Sequence, residues 1–224
     1  YLDSLPSGAC PNWLIGSHDK PRIADRIGPD QARIAAMLLL TLPGMVAIYA
    51  GDEIGMRDVE IPPSEARDPF ERRVPGYGLN RDPHRAPMRW NTRPQAGFTT
   101  GEPWLPIGDG IERLNVDTQL RDPHSLLNLY RRLIALRRAE PALQAGSYEL
   151  LGRFGEVLVF QRRLGDCAFL VALNFGQAPE AVPVTHHGTA RLSTGLDRSD
   201  ETIAGTLPLY PNEGVIVECR RDTQ

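Results

Sequence analysis

The sequence predicts an α/β segment followed by an all-β one, and two observations carry the prediction. Two short apolar runs, one closing at Gly16 and one at Tyr49, flank an apolar helical pattern, the signature of a β-α-β unit. From Gly146 onward the texture changes to short β-rich runs divided by turn-rich clusters, the pattern of an antiparallel β-sandwich.

Taken in order, the first strand candidate ends over Leu14–Gly16. Gly28-Pro29-Asp30 is a helix start signal, with proline tolerated in the first turn. The helix body, Gln31 to Leu42, is apolar on most faces and is expected to pack on more than one side. Pro43-Gly44 ends it. Met45-Val46-Ala47-Ile48-Tyr49 then reads as a buried parallel strand closed by Asp52 and Glu53. Met56 to Asp122 is loop-dominated, but Trp90, Phe98 and Trp104 point to an ordered loop. Asp122-Pro123 opens an amphipathic helix whose stripe is Leu126, Leu129, Tyr130, Leu133, Ile134 and Leu136. Glu140-Pro141 stops it. Strands are expected at Ser147–Leu151, Val157–Arg162, Ala168–Asn174, Ala181–Val184, Ala190–Ser193 and Gly214–Glu218. The boundary falls near 143–146, giving domains 1–143 and 146–224.

A formal net charge of −3 leaves no basic field for a nucleic-acid backbone, so no nucleic-acid partner is expected. The longest apolar stretch, Ile34 to Leu42, is too short to span a bilayer, so no membrane partner is expected. Cys10, Cys167 and Cys219 form neither a CxxC nor a metal-ligand cluster. They suggest buried thiols in a reducing, cytoplasmic compartment. The chain opens at Tyr1 and runs almost directly into its first strand, as if cut from something longer.

The most informative stretch is Asn12–Arg22. An apolar run stops at His18 and Asp19, and Pro21 sends the chain into a loop. Asp19, His18 and Arg22 offer a carboxylate, an imidazole and a guanidinium to a polar substrate. In an α/β barrel the C-terminal ends of strands are where chemistry is done. The second run also ends in polar groups, Asp52 and Glu53. Parallel strands would place both ends on one face.

These residues resemble the α-amylase superfamily, glycoside hydrolase family 13. Ser17-His18-Asp19-Lys20-Pro21-Arg22 is similar to the motif that ends its seventh barrel strand. Ile48 to Met56 is similar to the segment that ends the eighth. Arg81-Asp82-Pro83-His84-Arg85-Ala86-Pro87-Met88-Arg89-Trp90 and Ala96-Gly97-Phe98-Thr99-Thr100-Gly101 are similar to segments of its α-glucosidase and oligo-1,6-glucosidase branch. The motifs occur in the family's order. Two positions depart from it: Ser17 stands where asparagine is usual, and Ala50 where glutamine is often found.

The resemblance implies the C-terminal part of a (β/α)8 TIM barrel followed by an antiparallel β-sandwich domain. It implies a retaining glycosidase acting on an α-glucoside oligosaccharide, with carboxyl groups roughly 5 Å apart. Asp19 maps onto the carboxylate that favours the oxocarbenium-like transition state, His18 onto a hydroxyl-binding histidine, and Arg81 onto an arginine that holds the terminal glucose. A fixed carboxylate in a water-poor cleft stabilises such a cation more in the transition state than in the ground state. Arg22 is grouped with the substrate-binding residues. Asp52 and Glu53 are expected to be structural or to back the residues that touch substrate, ahead of direct substrate contact, and Arg85 to hold the loop or touch sugar.

The family's nucleophile, its acid/base and the calcium-ligand loops of some members would all precede residue 1. No metal or cofactor is therefore expected here, and the chain alone is expected to be inactive. The rival readings are a sucrose- or trehalose-type glucosyl transferase or isomerase, and a non-catalytic barrel scaffold.

Overall fold

A computed structural model of the chain describes residues 2–219, apart from the side chains of Asp3, Thr185 and His186. Tyr1 and residues 220–224, at the outer ends of the two expected domains, lie outside the described residues. In chain order the elements are β1 (Asn12–Leu14), α1 (Ile23–Ile27), α2 (Pro29–Thr41), β2 (Met45–Ala47), α3 (Pro69–Arg73), α4 (Val116–Arg121), α5 (Leu126–Ala139) and α6 (Pro141–Ala145). There follow β3 (Ser147–Phe154), β4 (Val157–Leu164), β5 (Cys167–Asn174), β6 (Glu180–Ser193), β7 (Thr202–Leu209) and β8 (Gly214–Cys219). They form two compact units, residues 1–13, 33–47 and 129–224 in one and residues 14–32 and 48–128 in the other.

The first unit is built on one antiparallel six-stranded sheet of order β3-β4-β5-β8-β6-β7. Two facing sheets were expected, and β6 is the reason for the difference. Its early part pairs with β7 and its later part with β8, with register shifts at Val184/Gly188 and Ala190/Leu192. Such irregularities bend a strand and raise its twist, so one sheet can curl over itself. The enclosed core joins Val157 and Val159 of β4 to Ile203, Leu207 and Leu209 of β7, with Leu170, Ala172, Val215 and Val217 between.

Where two short strands were expected, at Ala181–Val184 and Ala190–Ser193, β6 is continuous. Strand β7 was not expected at all. Its Gly205 and Pro208 read as turn residues, yet Ile203, Leu207 and Leu209 point inward, and an edge strand tolerates proline's missing N–H.

Helix α6 packs on β4 and β5, and Gly214 of β8 leaves room for the Met37 sulfur of α2. Helix α2 buries Ile34, Ala35, Ala36, Met37, Leu39 and Leu40, as its apolar faces require. Two arginines close the carbonyl ends of these helices, Arg162 buried and Arg137 half-buried. Arg137 donates to Leu40, Leu42 and Gly44 carbonyls at 2.7–2.8 Å, and Arg162 to those of Thr41 and Leu143 at 2.5 and 3.0 Å.

Strands β1 and β2 form a separate two-stranded sheet. The sequence pattern predicted that the second of them is buried. Instead Leu14 and Met45 are 53% and 59% exposed, because among the described residues these strands pair only with each other. The thiols also depart from expectation: Cys10 is exposed, and Cys167 and Cys219 are half-buried.

The second unit holds the long loop. An aliphatic cluster of Ile54, Met56, Val59, Ile61, Ala86, Leu105 and Leu127 orders it, joined by Met88 and Val116. Buried Arg89 ties its turns by donating to the Ile107 and Asp109 carbonyls at 2.7–3.1 Å. Trp90, Phe98 and Trp104, taken from the sequence as marks of order, stay largely exposed, so aliphatic packing does that work.

Candidate functional site

The polar cluster predicted from Asn12–Arg22 forms in the second unit. The Ser17 hydroxyl accepts the Asp19 N–H at 3.2 Å, a side-chain turn of the kind asparagine also makes. The departure at position 17 therefore leaves the turn intact. His18 Nε2 stands 3.2 Å from Asp19 Oδ2, with the two side chains 56% and 52% exposed. Arg81 Nη1 lies 3.3 Å from Asp19 Oδ1 and Arg85 Nη2 3.8 Å from the same oxygen. Asp19 is thus an accessible carboxylate ringed by an imidazole and two guanidinium groups that are more than sixty residues away in the chain.

Arg81 is held from behind. Its Nε and Nη2 donate to Asp68 at 2.8 and 2.9 Å, and its own backbone N–H donates to Asp68 Oδ2 at 2.8 Å. Asp68 also caps α3 by accepting the Phe70 N–H. The Arg81 guanidinium holds the Asp68 carboxyl well below the usual carboxylate range, although burial works the other way. The same pairing pushes the Arg81 pKa up.

Arg22 is placed differently from Asp19, His18 and Arg81. It is only 2% exposed, and among the described residues no hydrogen bond or ion pair joins it to Asp19. Its Nη1 donates to the Ala50 carbonyl at 2.6 Å and reaches Asp52 Oδ1 at 3.4 Å, while its guanidinium lies 4.4 Å from the centre of the Tyr49 ring. Burial pushes the Asp52 carboxyl up in spite of Arg22, and burial also raises the Tyr49 pKa. Glu53 accepts the Gly51 N–H at 2.7 Å. Asp52 and Glu53 thus each meet a partner within the same stretch of the fold, Arg22 and the Gly51 N–H. Gly16 makes this possible, because a Cβ there would stand 1.9 Å from Asp52 Oδ2.

Behind this layer Asp58 Oδ1 accepts the Arg22 N–H at 2.9 Å and meets His84 Nδ1 at 2.8 Å. Tyr49 donates its hydroxyl to the His84 carbonyl at 3.0 Å. The Arg81–Trp90 motif therefore divides its labour. Arg81 and Arg85 face Asp19, and Asp82 accepts the Arg67 and Asp68 N–H groups at 2.6 and 2.8 Å. Met88 packs on the aliphatic core, and Arg89 braces the loop.

Sequence reasoning missed Asp68. Its one signal was local: an aspartate before Pro69 reads as a helix cap. Its pairing with Arg81 is not written in any spacing. Among the described residues no group of three or more His, Cys, Asp or Glu could hold a metal ion. An open cleft of about 620 Å³ lies along Glu65, Arg67, Arg72, Glu102 and Trp104, and no member of the Asp19 cluster lines it.

An accessible carboxylate surrounded by N–H donors suits a polyhydroxylated substrate on which positive charge develops. The family model of the alpha-amylase catalytic domain matches residues 1–146. The chain belongs to the alpha-amylase family. It is 34% identical to the salivary alpha-glucosidase of Anopheles gambiae, over 98% of this chain and 37% of that protein. It is 33% identical to the amino acid transporter heavy chain SLC3A1 of Rattus norvegicus, over 97% of this chain and 32% of that protein.

Among solved structures, the trehalulose synthase MutB of Pseudomonas mesoacidophila MX-45 superposes with a TM-score of 0.81 at 26% identity. That match covers 93% of this chain and 43% of MutB. The chain spans about a third of the length of the curated relatives it matches. Within the alpha-amylase family it is an alpha-glucosidase-like member, and no helix among its described residues is long and apolar enough to cross a membrane.

Proposed function

We propose that this chain is the C-terminal portion of a retaining α-glucosidase-type glycoside hydrolase that cleaves α-1,4 or α-1,6 glucosidic bonds of short oligosaccharides. Residues 1–143 supply the last part of the (β/α)8 barrel, and 146–224 the C-terminal β domain. The observation that carries the reading is Asp19, half-exposed and ringed by His18, Arg81 and Arg85. The exposed Leu14 and Met45 side chains support a barrel completed by further strands.

In this mechanism the nucleophile and the acid/base come from the preceding barrel strands. Asp19 faces the sugar ring as the glycosidic bond breaks, so a carboxylate there counts most when the ring carries an oxocarbenium-like cation. His18 and Arg81 bind the sugar hydroxyls. Arg22 serves the site from beneath, by bracing Tyr49 and Asp52 instead of touching sugar. The three free cysteines support a cytoplasmic location.

The test is Asp19→Asn in the protein that joins this chain to its preceding barrel segment. We expect kcat/KM for maltose to fall by about 10²–10³ with the melting temperature unchanged, and residues 1–224 alone to turn over no maltose. Full activity in the Asp19→Asn protein would overturn the reading. A second reading, a glucosyl transferase or isomerase, is favoured by the likeness to a trehalulose synthase, and product analysis on sucrose separates the two. A third, a non-catalytic scaffold, is favoured by the likeness to a transporter heavy chain. It requires the intact protein to be inactive on every α-glucoside.

A further inference from the structure

Arg81 is bound unequally at its two ends. On one side Nε and Nη2 form a parallel pair of short bonds to the two oxygens of Asp68, whose side chain is fully buried. That carboxylate is itself anchored. It accepts the Arg81 and Phe70 backbone N–H groups, and its residue's own N–H donates to Asp82. The Phe70 ring lies 5.0 Å from the guanidinium. On the other side a single longer contact of 3.3 Å joins Nη1 to Asp19, which is half-exposed.

An arginine facing one accessible carboxylate closes on both of its oxygens when it is free to do so. Arg81 is not free, because its Nε/Nη2 edge is committed to Asp68, which fixes the plane of the guanidinium and leaves the single Nη1 contact toward Asp19. Asp19 therefore keeps Oδ2 clear of Arg81, and the outward N–H of Nη1 is held where a sugar hydroxyl can displace a weak contact.

We propose that Asp68 is the positioning residue of the site: it clamps Arg81 beside Asp19 and prevents the guanidinium from closing over that carboxylate. The proposal rests on the reading of Asp19 as the group that steadies the glycosyl cation. Asp68 is ionised at any pH at which such an enzyme works, since Arg81 holds its pKa below the ordinary range.

The experiment is steady-state kinetics on maltose in the intact protein with Asp68→Asn, Asp68→Ala, Arg81→Ala and the double variant Asp68→Ala/Arg81→Ala. Asp68→Asn retains an oxygen to cap α3 but loses the charged fork, so it carries the test if the alanine variant does not fold. Released Arg81 would neutralise Asp19, so kcat is expected to fall at least 10-fold while KM moves less than 3-fold. The double variant is expected to be no slower than Arg81→Ala alone, because Asp68 then has nothing left to position. Wild-type kcat in Asp68→Asn, or losses that multiply in the double variant, would overturn the proposal. An active Asp19→Asn protein would instead sink the functional reading beneath it. A dead Asp19→Asn protein beside an active Asp68→Asn one would sink this proposal alone.

Discussion

Arg162 lies fully buried in the β-rich unit and gives its N–H groups to the carbonyls of Thr41, Leu143, Gly146 and Ser147. Arg81, in the loop-rich unit, is partly exposed and faces the carboxylates of Asp68 and Asp19. The same planar fork serves two ends. Around Arg162 it donates to helix-end and turn carbonyls, most of them on buried residues, which is a matter of stability. Burial pushes the Arg162 pKa down to about 10, so the group is still charged at neutral pH. Around Arg81 one carboxylate is buried and closed while the other is open to solvent. An arginine that meets only carbonyls marks framework, and one shared between a closed and an open carboxylate marks a site.

The sharpest way to break this contrast is Arg162→Met. It strands several buried carbonyls at once, and we expect a loss of about 3 kcal/mol or more in urea unfolding. A loss below about 1 kcal/mol would mean that Arg162 is not framework. Next in size is Gly16→Ala, which drives a methyl group into the Asp52 carboxylate. We expect about 1–3 kcal/mol from overpacking, read as a lowered urea midpoint, and an unchanged midpoint would show that the Arg22–Asp52 layer is loose.

The smallest expected effect is a pH dependence. The Asp68 carboxyl is depressed in the folded protein, so its stabilising share is fully present above the unfolded value of about 4. It is lost as pH falls through the lower folded value. Melting temperatures from pH 5 to pH 2 should fall more steeply in the parent than in Asp68→Asn, and parallel curves would count against a charged clamp.

Much of this was legible from local pattern. Helix α2 announced itself by Gly28-Pro29-Asp30 and by apolar residues on most faces, and α5 by its single stripe, because both depend on spacing along one segment. His18, Asp19 and Arg81 could be chosen as site residues because their motifs are short and ordered. Arg22 was grouped with the substrate ligands for standing three residues after Asp19, yet its side chain is buried, because spacing does not say which way a side chain turns. Tyr49, Ala50, Asp52 and Asp58, supplied by later segments, hold it there. Strand β7 was missed because Gly205 and Pro208 carry the local signal of a turn, which an edge position overrides.

By itself the sequence determined helices α2 and α5 and most of the strands, the turn that presents His18 and Asp19, and the family to which these motifs belong. Those are properties of neighbouring residues and survive in any context. Tertiary structure alone decided that β6 bends and closes one sheet on itself, that Arg22 goes under while Arg81 goes beside Asp19, and that Asp68 holds Arg81 in place. These depend on groups far apart in the chain, whose pairing is set by burial and by the cost of leaving a buried charge without a partner charge, and no local spacing encodes that.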